Sequence, residues 1–344
     1  MDGGPSPATR FTADYGVELP IVCAGMAFVA RAALAAAVSE AGGLGVVGAA
    51  AMPPPVLAAE LEAVRAATSR PFGVNLLPRF AEDAHVEACV AADVPVVSFF
   101  WDDPQPGWVE QLHGAGARVW VQVGSPAEAE AAVAAGADAV IAQGHGAGGH
   151  NRSVAGLVSL VPAVVDAVSP VPVIAAGGIA DGRGVAAALA LGASAVSLGT
   201  RFVASEEADA HPGYKERLVR AGVGDTVRHW VFGFDWPDAQ VRSLRNAIVA
   251  EWEGRDRPPP YRELDPAQQP RVGETDVFGR SLPIVRHMGL PPTGATTGDL
   301  EQMSLLAGES VGLVDAVRPA AEIVRELAEQ ARAAIAALAG GPAA

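Results

Sequence analysis

Short Val- and Ile-rich runs alternate with Ala-rich stretches between Leu19 and Phe202, and each run is closed by Gly, Pro or a polar residue. Continuous apolar runs of this length, bounded by turn residues, are the mark of strands buried on both faces. The pattern predicts eight of them, at residues 20–24, 45–50, 72–76, 94–99, 118–123, 137–142, 172–176 and 194–198. Eight strands alternating with helices, spaced roughly 20 to 30 residues apart, describe an α/β protein of the (β/α)8 TIM-barrel type. Its functional residues are then expected on the loops that follow the strands.

Past Arg220 the texture changes: Arg, Trp and Pro become frequent in HWVFGFDWPDAQVRSLRNA (229–247) and GRDRPPPYRELDP (254–266). This reads as a smaller, partly helical insert, residues 221–298, over the barrel mouth, with the barrel itself built from 1–220 plus 299–344. Residues 299–314 and 319–339 are expected to return as two helices that close the barrel, and GGPAA to fray at the end.

A doubly wound sheet competes with the barrel, because G-x-G-x-x-G occurs twice. Gly43, Gly45 and Gly48 enter a strand instead of leaving one, the wrong context for a dinucleotide fingerprint. Gly144, Gly146 and Gly149 do follow a strand, but His150, Asn151, Arg152 and Ser153 come where the fingerprint needs a helix already running.

Composition narrows the chemistry. Half of the 344 residues are apolar and only 6% aromatic, so the core is expected to be mostly Ala, Val, Leu and Ile. A formal charge of -15 offers no counterion release to a phosphate backbone, which excludes nucleic acid as the main partner. Cys23 and Cys89 cannot form a disulfide framework. The start, MDGGPSPATRF, lacks a basic, apolar leader, and no uninterrupted apolar stretch of about 20 residues exists to span a membrane. A cytoplasmic location is expected. The single lysine, Lys215, lies in a helical stretch, which excludes a P-loop lysine and a Schiff-base lysine at a strand end. Asp102 and Asp103 are the only carboxylates at predicted strand ends, and they read as turn residues before Pro104. Paired-carboxylate hydrolysis and metal-dependent barrel chemistry are therefore not expected. The seven histidines include no H-x-H or H-E-x-x-H pair, so no metal site is expected.

What the strand ends do offer is neutral and rich in donors. Ala142 to His150 reads AQGHGAGGH, four glycines beside two histidines. Met26 follows the first strand, and Asn75, Gln122 and Gln143 stand at the third, fifth and sixth. Gly177 and Gly178 follow the seventh strand, and Gly199 and Thr200 the eighth, where barrels bind phosphate with backbone amides. A phosphate monoester joined to a large uncharged heterocycle fits both halves, and FMN is such a molecule. A phosphosugar, or FMN held without redox turnover, fits the phosphate half equally.

The block AQGHGAGGH followed by PVIAAGGIADGRGVAAALALGASAVSLGTRFVASEEADAHPGYK resembles the nitronate monooxygenases, formerly 2-nitropropane dioxygenases. The likeness extends to PIVCAGM, SEAGGLGVVG, GVNLL and LLAGESVGLV and leaves only the insert weakly matched. Flavin-dependent enoyl reductases of bacterial fatty-acid synthesis share the same block. The resemblance implies an FMN-binding barrel and an oxidase that uses O2 to convert a small carbanionic substrate, such as an alkyl nitronate, to a carbonyl compound and nitrite. The alternative is an NAD(P)H-dependent reductase of enoyl thioesters. Carried over by position, Asn75, Gln143, Gly148, Gly178 and the run Ser197, Leu198, Gly199 and Thr200 would contact FMN, with Met26 near the ring. His150 would be the catalytic base, with His145 as the alternative. Related sequences often read E-A-G-G-H-R-G where this chain has Gly146, Ala147, Gly148, Gly149, His150, Asn151 and Arg152. Arg152 is either a guide for an anionic substrate or a solvated side chain, and Cys23 reads as a small buried thiol.

Overall fold

A computed structural model of the chain describes residues 9–234, 236, 239–255, 265 and 268–340. All of the GGPAA tail after Gly340 and most of the 254–266 stretch lie outside the described residues. Nine strands come first in the chain: β1 Ile21–Cys23, β2 Leu44–Gly48, β3 Phe72–Leu76, β4 Val96–Phe99, β5 Arg118–Val123, β6 Ala139–Gln143, β7 Gly149–His150, β8 Val173–Ala176 and β9 Ala195–Leu198. All but β7 form a closed ring in the order β1-β2-β3-β4-β5-β6-β8-β9. Every neighbour is parallel, and Ile21 beside Val196 closes the ring. The protein is a (β/α)8 barrel and not a doubly wound sheet.

The first glycine triplet serves packing. A Cβ on Gly45 would lie 2.0 Å from the Ala35 carbonyl oxygen of the preceding helix, and one on Gly48 2.3 Å from the Met26 carbonyl oxygen. After Gly144, Gly146 and Gly149 no helix begins until Leu157, so the second triplet is no dinucleotide turn either.

Inside the ring, Val22, Leu44, Val46, Val96, Trp120, Ile141 and Ile174 form one apolar cluster that Phe11 joins from the opening helix. Trp120 Nε1 donates to the Tyr15 hydroxyl at 2.8 Å, and burial pushes the Tyr15 phenol up to about 12. Thr9 caps that helix, and Gly16, at φ 64, ends it. Two further clusters fill the shell between strands and helices, and both cysteines sit in them, buried and unpaired.

Residues 221–298 carry β10 Thr226–His229, β11 Val241–Leu244, the short helix Ala247–Trp252, β12 Arg271–Val277, β13 Arg280–Val285 and β14 Thr297–Gly298. β11 pairs with β10 on one side and on the other with β7, where Val241 faces His150 and Arg242 faces Gly149. The segment after Asp299 corrects the sequence reading. Instead of a helix over 299–314, two 3-10 turns, Leu300–Gln302 and Glu309–Leu313, flank an extended strap. The strap's backbone is satisfied by β11, since Leu244 N donates to Leu305 O at 2.8 Å and Ala307 N to Arg242 O at 3.3 Å. Its apolar residues are therefore buried by a crossing, not by a helical face. The expected last helix is present as Ala320–Leu338, with Ile323, Val324 and Leu327 buried. Among the described residues no helix is long and apolar enough to cross a membrane.

His229 makes the fold sensitive to acid. Its Nδ1 accepts from Val231 N at 3.0 Å, so Nε2 carries the proton and donates to Ser243 Oγ at 2.8 Å. Burial, and then Arg242, push its pKa down to about 3, and burial and then Arg79 do the same for His150. Both pKa values lie below the unfolded value near 6.5, so the unfolded chain binds more protons once the pH drops under 6.5. The stability these residues lend is complete above that pH and is lost as pH falls toward 3, at up to about 1.4 kcal/mol per unit per histidine. Urea unfolding at pH 7.5 and 5.0 should differ by up to about 4 kcal/mol, in a window where carboxylates scarcely titrate. A difference below about 1 kcal/mol would show that neither ring is held neutral by the fold.

Candidate active site

At the C-terminal ends of the barrel strands lies a cavity of about 670 Å3, inside the range of about 300–1,000 Å3 usual for cofactor and small-molecule sites. Its wall brings together most of the site residues expected from the sequence: Met26, Asn75, Gln122, Gln143, Gly148, His150, Gly177, Gly178, Ser197, Leu198, Gly199 and Thr200.

The glycines explain how the floor and one end are shaped. Gly177 and Gly178 have φ of 98° and 74°, a region that L side chains rarely adopt. A Cβ on Gly177 would sit 2.8 Å from Ala147 N, whereas one on Gly178 meets nothing within 4 Å and would project into open space. Gly199 caps the short helix Thr200–Val203, whose first amides have no carbonyl in their own helix. Thr200 Oγ1 accepts from Gly308 N at 2.9 Å, so the strap is tied to this corner, and Gly308 and Ser310 join the wall. A Cβ on Gly148 would come 2.6 Å from the Ala307 carbonyl carbon, so the 144–150 loop and the strap touch backbone to backbone.

The amide side chains are held in place. Asn75 Nδ2 donates to Ser98 Oγ at 3.0 Å and Ser98 O at 3.3 Å, and Gly25 leaves it room, since a Cβ there would lie 2.3 Å from Asn75 Cβ. Gln143 Nε2 donates to His150 O at 3.2 Å, joining the end of β6 to the histidine's own backbone.

His150 stands in an aromatic box. Trp236 lies tilted against its ring at 4.3 Å between centroids, Trp101 meets it edge-on at 6.0 Å, and the Arg79 guanidinium lies 4.6 Å over the ring of Trp236. Its Nε2 is buried with no partner among the described residues. With its pKa pushed down to about 3 the ring is neutral at pH 7, with one nitrogen protonated and the other able to accept a proton. Among the described residues that line the cavity no carboxylate occurs, and Arg280 carries the one formal charge.

The remaining sequence candidates lie elsewhere. His145 does not line the cavity; it lies 3.3 Å from Arg242 and 3.5 Å from Glu309, and burial together with Arg242 lowers its pKa. Arg152 donates to Trp101 O at 2.6 Å and lies 3.5 Å from Glu128 outside the cavity wall. Asp102 pairs with Arg79 at 2.9 Å, and Cys23 faces the outer shell, where burial pushes its thiol up. No group of three or more His, Cys, Asp or Glu that could hold a metal occurs among the described residues. Sequence reading missed Arg79, Trp101 and Ser98. It noted the cluster of tryptophans past Arg220 but could not assign Trp236 to His150, because that pairing joins residues 86 positions apart.

The cavity fits the group the strand ends suggested. Backbone amides at Gly177, Gly178, Gly199 and Thr200 suit a phosphate, a Cβ at Gly178 would enter its space, and no acid among the described lining residues opposes it. The sequence pattern of the nitronate monooxygenases matches residues 9–85 and 79–330. A nitronate monooxygenase of Metarhizium robertsii is 34% identical, over 91% of this chain and 91% of its own. A (3aS,4S,5R,7aS)-5-hydroxy-7a-methyl-1-oxo-octahydro-1H-indene-4-carboxyl-CoA dehydrogenase of Mycobacterium tuberculosis is 42% identical, but over 64% of this chain and only 62% of its own length. Among solved structures, FabK of Thermotoga maritima matches with a TM-score of 0.80 and 37% identity, over 97% of this chain and 99% of that one. The nitroalkane oxidase of Streptomyces ansochromogenes matches with 0.78 and 33%, over 95% and 99%. With the fold, the glycine cradle and the family pattern in agreement along the chain, this protein belongs to the nitronate monooxygenase family, a family of flavoprotein oxidoreductases.

Proposed function

We propose that this chain binds FMN and oxidises alkyl nitronates, or related small carbanionic substrates, with O2 to a carbonyl compound and nitrite. The observation that carries this reading is one cavity, with no acid among its described lining residues, that holds both a glycine-built anion cradle and an unpaired neutral imidazole. The amides of Gly177, Gly178, Gly199 and Thr200 hold the phosphate. Met26, Asn75, Gln122, Gln143, Gly148, Ser197 and Leu198 frame the ring. Bound FMN supplies an acceptor for the electrons of the substrate carbon and a donor for O2. His150 takes the α-proton of a neutral nitroalkane on its unprotonated ring nitrogen, and the nitronate anion formed beside it stabilises the imidazolium. Trp236 and Trp101 exclude water from that pair, and residues 221–298 act as the lid that carries Trp236.

A second reading, an NAD(P)H-dependent reductase of enoyl thioesters, is favoured by the likeness to FabK over nearly the whole chain. The two differ in what reduces the flavin. Under anaerobic conditions an alkyl nitronate should bleach the flavin absorbance rapidly, and NADPH slowly or not at all; aerobically, the nitronate should drive oxygen uptake without reductant. Rapid bleaching by NADPH with no response to any nitronate reverses the order of the two readings.

A further inference from the structure

One side of the cavity mouth is built from a strained hairpin. β12 and β13 are joined by Phe278 and Gly279, at φ of 55° and 77°, which is the backbone of a type I′ turn. Such turns favour Asn-Gly, and a phenylalanine is destabilised in this conformation. Facing it across the mouth, Phe28 on the loop after β1 has φ of 66°, and the two rings stack with centroids 5.9 Å apart. Two aromatic residues in the left-handed region, packed on each other at a cavity mouth, are strain of the kind kept at ligand sites. Arg31 lies 5.1 Å over the Phe278 ring and pairs with Glu60, which fixes Phe278 from behind.

Arg280 follows immediately on this turn. It lines the cavity and makes no ion pair among the described residues. The acids of its own hairpin are engaged elsewhere: Glu274 by Arg271 and Ser281, and Asp276 by Gly279 N at 2.8 Å. Arg280 is a solvent-exposed cation at a mouth with no carboxylate among its described lining residues, and it can pair with an anion there. His150 lies after β6, and Phe28 after β1, three places away round the ring. The two strand ends are roughly 14 Å apart in a barrel of eight strands tilted about 36° and spaced about 4.8 Å. A short nitroalkane cannot reach from one to the other.

We propose that Phe28, Phe278 and Arg280 form the distal half of the substrate site, and that the preferred substrate is an amphiphilic anion. Its reactive carbon lies at His150, an apolar chain of several carbons runs across the mouth along the stacked phenylalanines, and a carboxylate or phosphate ends at Arg280. The assignment of the reactive end rests on the oxidase reading above; the anion site does not.

The test uses the nitronates of 8-nitrooctanoate and 1-nitrooctane, which differ in the terminal charge, with the wild type, Arg280→Gln and Arg280→Lys. The wild type should prefer the carboxylate by about 10- to 100-fold in kcat/KM, expressed in KM, the usual worth of a hydrogen bond to a charged group. Arg280→Gln should erase the preference with flavin content unchanged, and Arg280→Lys should restore part of it. Phe278→Asn, which suits the turn, should raise or keep Tm while weakening both substrates. A second arm needs no turnover: octanoate and octanamide are titrated against tryptophan fluorescence, which Trp236 in the cavity wall reports. Octanoate should bind the more tightly in the wild type, and equally with octanamide in Arg280→Gln. If no nitronate is turned over but octanoate binding still depends on Arg280, the oxidase reading falls and the anion site stands. Equal binding of octanoate and octanamide by the wild type, or no change in Arg280→Gln, overturns the proposal.

Discussion

Gly178→Asp should give a folded, colourless protein that takes up no added FMN. A Cβ at Gly178 meets nothing within 4 Å, so the new side chain disturbs no packing, and the whole of its effect falls on what occupies the cavity. The φ of 74° adds strain of roughly 1–2 kcal/mol for any L side chain, which Gly178→Ala measures separately. The carboxylate adds repulsion: unit charges about 4 Å apart at an effective dielectric near 20 interact by about 4 kcal/mol, or about a thousandfold in affinity. Flavin content after reconstitution, read from the visible spectrum, should follow wild type > Gly178→Ala ≫ Gly178→Asp. Full occupancy in the Asp variant would put the phosphate elsewhere in the cavity. Equal loss in Ala and Asp would assign the effect to the backbone and not to charge.

The barrel was legible because its signal is repetitive. Eight apolar runs closed by turn residues have few alternatives, and the errors were at edges: residues 45–50 against Leu44–Gly48, and 94–99 against Val96–Phe99. Pro95 and the residues beside it are as apolar as a strand, and composition does not say where pairing starts. The cradle was legible for a different reason. In a barrel the functional loops follow known strands, so the residues after 143, 176 and 198 could be named before their contacts were known.

Where the chain turned back on itself the sequence was silent. Residues 299–314 hold enough Leu and Val to suggest a helix, yet their carbonyls and amides are claimed by β11 and by the 144–150 loop. Gly308 approaches within 2.7 Å of the Gly146 carbonyl oxygen if given a Cβ, which explains the glycine but is invisible without the partner. The same holds for the box around His150. Arg79, Trp101 and Trp236 come from three separate loops, and each alone reads as an ordinary surface residue.

His150→Asn should retain FMN and lose about 10²- to 10⁴-fold in kcat/KM on neutral nitroalkanes, the usual worth of a positioned base. The asparagine keeps a polar group of similar reach but has no basic nitrogen, and Gln143 still finds its partner because that bond goes to the backbone oxygen of residue 150. On preformed nitronate no proton has to move, so the loss there should be much smaller. The pH profile provides an independent sign. Burial and Arg79 hold the imidazole near 3, so the base stays unprotonated through the range where a free histidine titrates. Wild-type kcat/KM on a nitroalkane should therefore show no acid limb near pH 6.5, down to the pH at which the fold itself gives way. A limb at 6.5 would mean that the ring is exposed in the working enzyme, with Trp236 swung aside. Equal loss on nitroalkane and nitronate would make His150 a positioning residue, holding the substrate against the ring without taking its proton.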